Sequence, residues 1–187
     1  QLRDQVDAIM VGIETIIADD PQLTTRLEEG GRDPLRVVVD SRLRISLDSR
    51  IINQRSAAPT LIATTVKAPA EKVAQLEAAG CELLVLPDVE GRVSLPQLWD
   101  ILGQRGLQYL LLEGGRTLAA AALKDGLINR LQLYIAPKLI GGEGVTGLFA
   151  GSGCLKMTDA LPLDEMVIEQ VGEDLLLTAE VRRCLPD

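Results

Sequence analysis

Four features of this chain, on three stretches, carry residue types that can bind or transform a ligand. The first is Gln108-Tyr109-Leu110-Leu111-Leu112-Glu113-Gly114-Gly115-Arg116-Thr117-Leu118-Ala119: an apolar run, a Glu-Gly-Gly turn and the start of an Ala-rich segment. Glycines let the backbone approach a pyrophosphate, and the N–H groups that open a helix favour anions. Thr117 adds a hydroxyl and Arg116 a cation. The competing reading is a tight turn that needs two glycines for its shape alone, and the spacing leaves both open. A side chain at Gly115 is expected to weaken phosphate binding with little loss of fold. Glu113, directly after the apolar run, is either a partly buried acid suited to proton transfer or a carboxylate capping the next turn. The third feature is Ala18-Asp19-Asp20-Pro21-Gln22-Leu23-Thr24-Thr25-Arg26. It reads as a surface turn with a solvated arginine, or as a loop presenting Asp19 to a cofactor and Arg26 to an anionic substrate. The fourth is Val39-Asp40-Ser41, where Ser41 bonds a cofactor phosphate or ribose, or only caps a turn.

What is missing narrows the chemistry further. The chain has no histidine, which removes His triads, His metal ligands and His proton shuttles together. Cys81, Cys154 and Cys184 are odd in number and widely spaced, so they are read as packing residues in a reducing cytoplasm, with neither a disulfide framework nor a metal site.

The elements needed to position these groups follow from hydrophobic pattern. Strands are predicted at Val6 to Gly12, Leu35 to Asp40, Pro59 to Thr65, Cys81 to Leu86, Tyr109 to Leu112 and Arg130 to Ala136. Helices are predicted at Glu14 to Ala18, over Ala70 to Ala79 with Gly80 as its C′ residue, after Ser94, and from Gly115 to about Lys124. Met166 to Val171 and Leu175 to Val181 read as a hairpin across Gly172-Glu173-Asp174. Alternating strands and helices with an antiparallel finish give an α/β domain on a mixed, mostly parallel sheet. Three of the four candidate features then fall at strand ends, which is how a ligand cleft of this class is assembled.

With 187 residues, 47% apolar and 25% charged, the chain suits a single domain over 1–187. Its net charge of −8 and only four aromatic residues (Trp99, Tyr109, Tyr134 and Phe149) argue against nucleic acid as a partner. No apolar run is long enough to span a membrane, so no membrane partner is expected. The expected location is the cytoplasm.

Taken in order, the motifs resemble the reductase domain of the bifunctional riboflavin-biosynthesis deaminase–reductase family. They are Asp7-Ala8-Ile9 with Gly12 and Thr15, Ala18-Asp19-Asp20-Pro21 with Leu23 and Arg26, Arg36-Val37-Val38-Val39-Asp40-Ser41, Glu113-Gly114-Gly115 with Thr117-Leu118, and Tyr134-Ile135-Ala136-Pro137-Lys138-Leu139-Ile140-Gly141-Gly142. The match runs from residue 1 to about residue 183. It implies a dihydrofolate-reductase-like three-layer fold with an antiparallel C-terminal hairpin. It also implies NADPH-dependent reduction of the ribosyl group of 5-amino-6-(5-phosphoribosylamino)uracil to a ribityl chain. By the same resemblance, Thr15, Asp19, Ser41, Gly115, Arg116, Thr117, Leu118, Ala119, Ala120 and Ala121 would contact NADPH. Arg3, Leu23, Arg26 and Glu113 would contact this small phosphoribosyl-pyrimidine substrate, with Glu113 the proton donor or orienting group. A homodimer is expected, built partly from the C-terminal strands. The family's opening strand with its Ser-Leu-Asp-Gly-like motif, the Trp-Ile-Thr-like segment after it and the zinc-binding deaminase-like domain have no counterpart in these residues. The sequence opens at what would be the following helix. The alternatives are a catalytically incomplete nucleotide-binding or dimerisation module of the same fold, and a different reductase such as a dihydrofolate reductase, which the Glu113-Gly114-Gly115 and Asp19-Asp20-Pro21 motifs disfavour.

Overall fold

The computed structural model describes residues 2–27, 29–139, 147–151, 153 and 156–182. The chain forms two compact units, Gln1–Leu118 and Ala119–Asp187. In the first, α1 (Leu2–Gln5), β1 (Ala8–Gly12), α2 (Ile13–Asp19), β2 (Leu35–Val39), α3 (Arg50–Asn53), β3 (Thr60–Thr65), α4 (Ala70–Ala78) and β4 (Glu82–Leu86) follow in order. They are succeeded by β5 (Asp88–Val89), β6 (Arg92–Val93), α5 (Leu95–Gln104) and β7 (Leu110–Leu112). Strands β4-β3-β2-β1-β7, in that order, make a sheet in which every pairing is parallel.

A parallel sheet covered by helices is buried on both faces, so its strands are continuous apolar runs instead of alternating ones. β3, Thr-Leu-Ile-Ala-Thr-Thr, is buried at every position, and β1 and β2 are buried at most. Ile9, Val11, Val38 and Ile62 pack with Ile13, Ile16, Leu23, Leu43, Ile45, Ile51, Leu76 and Cys81 in one core. Cys81 is thus a packing residue as expected; Cys154 and Cys184 lie outside the described residues. β2 also carries Arg36 into the interior, 3% exposed. Its guanidinium donates to Thr60 Oγ1 and Ser56 Oγ, each at 3.0 Å, and to the Ala58 carbonyl. Gly80 sits at C′ of α4 with φ +87°, the left-handed position a helix stop favours. Ser94 takes the N-cap place of α5, without a side-chain cap bond.

The antiparallel β5–β6 hairpin was not evident from the sequence. It turns on Glu90 and Gly91, with φ +52° and +81°, where Asn or Asp before Gly is the usual signal.

α6 (Arg116–Lys124) follows β7 and continues into the second unit. That unit's strands are β8 (Arg130–Ile135), β9 (Leu163–Val171) and β10 (Asp174–Val181), in an antiparallel sheet of order β8-β10-β9. β9 and β10 form the expected hairpin, joined by Gly172 (φ +64°) and Glu173. The parallel and antiparallel parts are both present, carried on separate sheets among the described residues. The expected loop from Gly141 to Gly153 lies mostly outside those residues, as do Ile140, Gly141 and Gly142. No described helix is long and apolar enough to cross a membrane, and no described cluster of His, Cys, Asp and Glu is placed to hold a metal.

Candidate functional site

Sheet order locates the crevice. From β1 the chain steps outward through β2, β3 and β4, then returns with β7 on the other side of β1. Beyond the carboxyl ends of β1 and β7 the connections diverge, and such a switch point is where an open α/β sheet binds ligands. β1 and β7 run parallel with Met10 opposite Leu112, so Gly12 and the Glu113-Gly114-Gly115 turn emerge at the same end.

These two turns press together. Gly114 and Gly115 have φ +83° and +82°, in the left-handed region that favours glycine. A Cβ at Gly115 would lie 3.2 Å from the Gly12 backbone nitrogen and 3.5 Å from Leu118 Cβ; one at Gly114 would lie 3.1 Å from Thr15 Oγ1. The two glycines are therefore needed both for turn shape and for close approach. The expectation that a side chain at Gly115 leaves the fold nearly intact is corrected by this contact. Leu118, buried, packs over Gly12, while Arg116 and Thr117 are exposed on the first turn of α6. Gly115 and that turn supply N–H groups without partners inside the helix. The N–H groups of Ala120 and Ala121 fall within the hydrogen-bonded body, leaving these residues only apolar contact to offer. Thr15 is on α2, half-buried beside Gly114, and Asp19 ends the same helix, exposed.

Glu113 is fixed at both ends. Its N–H donates to the Met10 carbonyl at 2.9 Å. Its carboxylate receives Arg3 Nε at 3.1 Å and Arg3 Nη2 at 2.5 Å. Arg3 Nη1 donates to the Thr24 carbonyl at 3.0 Å, so α1, the loop after α2 and the end of β7 meet at one guanidinium. The next residue in that loop, Thr25, donates its N–H to Asp33 Oδ1 at 2.8 Å. Leu23 is 2% exposed with φ +55°, a strained backbone for a branched residue. Arg26 follows, exposed, with no ion pair among the described residues.

Ser41 follows β2 at this same end of the sheet. Its Oγ accepts the Val93 N–H at 3.1 Å and its carbonyl accepts Thr65 Oγ1 at 3.0 Å. The hydroxyl shapes a turn, and its own proton remains available to a ligand. Asp40 beside it is fully buried and accepts the Ile45 N–H at 2.8 Å.

The structure thus joins Thr15 to the glycine turn and Arg3 to Glu113, and places Ser41 at the same sheet end. It also adds Asp33, which no sequence signal had marked, and gives Gly12 and Thr24, present in the motifs without an assigned role, a site-shaping part. Gly12 ends an apolar strand like any other, and Thr24 contributes only a carbonyl.

Comparison with known proteins identifies the family. Residues 1–177 match the RibD C-terminal domain. The riboflavin biosynthesis protein RibD of Actinobacillus pleuropneumoniae is 39% identical over 177 residues, covering 95% of this chain and 46% of that protein. The 2,5-diamino-6-ribosylamino-4(3H)-pyrimidinone 5′-phosphate reductase of Methanothermobacter thermautotrophicus is 39% identical over 184 residues, covering 97% of this chain and 83% of that protein. Acinetobacter baumannii RibD superposes with a TM-score of 0.78 at 26% identity, covering 96% of this chain and 48% of the other. The chain therefore spans about half the length of the RibD proteins it matches and most of the archaeal reductase. On sequence and structure alike, it belongs to the RibD C-terminal domain family.

Proposed function

We propose that this chain is an NADPH-dependent reductase that converts the ribosyl group of 5-amino-6-(5-phosphoribosylamino)uracil to the ribityl form. The observation that carries this reading is the junction at the switch point. There Gly114 and Gly115, in left-handed backbone, would press a Cβ to within 3.1 Å of Thr15 Oγ1 and 3.2 Å of the Gly12 nitrogen, and Glu113 is held beside them. That cradle fits a dinucleotide phosphate, because backbone donors approach a phosphate only where no Cβ intervenes. When bound, the nicotinamide supplies the hydride. The chain's own residues bind and orient. Gly115, Arg116, Thr117, Leu118 and Ala119 offer donors and a cation to the cofactor phosphates, Ala120 and Ala121 line the helix behind them, and Thr15, Asp19 and Ser41 offer polar groups around them. Arg26, exposed and without an ion pair among the described residues, is a cation for the substrate phosphate, and Leu23 shapes the loop that presents it. Glu113 takes the orienting role, since a carboxylate held in place by two N–H donors from Arg3 keeps lone pairs that accept from sugar hydroxyls.

Titrating NADPH by fluorescence and then following its oxidation with the uracil substrate tests this reading. Saturable binding with turnover is expected. Binding without turnover would instead support a nucleotide-binding module. The archaeal relative's name adds a comparison, the 2,5-diamino pyrimidinone, which differs from the uracil at the pyrimidine C2 substituent. The reading extends to a homodimer in the cytoplasm, paired through the C-terminal sheet.

A further inference from the structure

We infer that Arg3 is a positioning residue that acts through Glu113. The inference rests on the reductase reading above. Resemblance places Arg3 with Arg26 as substrate-binding arginines, yet the two stand in opposite situations. Arg26 is exposed and without an ion pair among the described residues. Arg3 is bonded through each of its guanidinium nitrogens: Nε and Nη2 to the two oxygens of Glu113, and Nη1 to the Thr24 carbonyl. A fork-to-fork pair of this kind fixes the plane of the carboxylate as well as its distance.

The third bond gives the pair its reach. Thr24 follows the left-handed, buried Leu23 and precedes the residue that Asp33 holds by its N–H. A strained loop needs anchors to keep its shape, and Arg3 and Asp33 supply them on consecutive residues. Arg3 therefore ties the orientation of the carboxylate at the end of β7 to the loop that carries Arg26. A lysine cannot replace it, because an ammonium has no planar fork.

A double-mutant cycle on turnover separates positioning from direct contact. Arg3→Met should lower kcat by roughly tenfold or more, with a much smaller change in KM for the phosphoribosyl substrate. Arg3→Lys should recover little, and added guanidinium should partly restore Arg3→Met. In a Glu113→Gln background the Arg3 substitution should have almost no further effect, whereas in an Arg26→Ala background its effect should multiply. A raised KM with unchanged kcat, or full multiplication in the Glu113→Gln background, would overturn the inference.

A second measurement needs no turnover and keeps the inference testable if a variant unfolds or the wild-type chain proves inactive. The Arg3 Nε–H resonance of the wild-type protein should exchange slowly and move on Glu113→Gln while the backbone spectrum stays in place. An Arg3 signal that exchanges freely, or ignores that substitution, defeats the assignment. Failure of the reductase reading shows itself differently, as no substrate-dependent oxidation of NADPH by the wild-type protein, with the Arg3 signal still protected.

Discussion

Glu113, Gly115 and Arg26 each carry a separable part of the proposed chemistry. Gly115→Ala places a methyl 3.2 Å from the Gly12 nitrogen on a backbone at φ +82°. The left-handed conformation alone costs a residue with a Cβ roughly 1–2 kcal/mol, so this variant should melt several degrees lower and bind NADPH more weakly. Scanning calorimetry and fluorescence titration check the two effects, and a wild-type melting temperature would contradict the packing described. Arg26→Ala should act on substrate alone. Loss of a charge-assisted hydrogen bond costs roughly 1.5–3 kcal/mol, a tenfold to hundredfold rise in substrate KM with the NADPH constant unchanged. The reverse pattern would assign Arg26 to the cofactor. Glu113 and Gly115 were legible because polar and glycine residues interrupt an apolar strand there. The Arg3–Glu113 pair was not, since its members lie 110 positions apart and only the fold brings them together. The left-handed backbone of Leu23 left no trace in residue type either.

At the scale of elements, the register of β7 determines where Glu113 emerges, and Asp7 holds that register. Asp7 Oδ2 accepts the N–H groups of Gln108 and Tyr109, each at 2.9 Å, just before β7 begins. Those backbone bonds, first Tyr109 and then Gln108, outweigh burial and keep the Asp7 carboxyl below its usual range, with Arg32 contributing less. A carboxyl with a lowered folded pKa stabilises the fold fully above the unfolded value, near pH 4, and loses that contribution as pH falls through the folded value. Asp7→Asn should therefore destabilise by about 1 kcal/mol at neutral pH, after allowance for the solvent that reaches the group. The gap from wild type should close as pH drops below about 4. Urea melts at neutral pH and at the acid end give the check, and a gap that widens in acid would reverse the argument. The long elements were readable because period and length agree: β2 and β3 are apolar and β-branched, and α4 and α5 each have a buried face. α3 and β5–β6 escaped because four-residue and two-residue elements carry no period. The division into two sheets escaped because alternation marks a strand without naming its neighbour.

At the scale of the whole molecule, the second unit's sheet bears on assembly. Cross-strand pairing sets Ile135 beside Leu175, and Leu133, Leu177 and Ile168 in a row, so these side chains share one face. Met166 joins them two residues along β9. Within the chain this face remains open: Ile168 and Met166 are 60% exposed, and Ile135 and Leu175 are 46% and 44% exposed. A contiguous apolar face of this kind marks an interaction surface more often than a solvated one. β9 is also the edge of its sheet, where unpaired backbone groups invite a further strand or need cover. A second copy of the chain, related by a twofold axis, would cover face and edge together, the commonest closed arrangement. The proposed homodimer predicts sedimentation at twice the chain mass at micromolar concentration. Met166→Glu combined with Ile168→Lys should weaken the dimer by at least about 2 kcal/mol, more than tenfold in Kd, if these residues lie at the centre of the interface. Both positions are exposed in the single chain, so its melting transition, measured at a concentration where the variant is monomeric, should remain cooperative. A wild-type protein that sediments as a monomer throughout, or a double variant that still pairs with the original affinity, would remove this face from the interface.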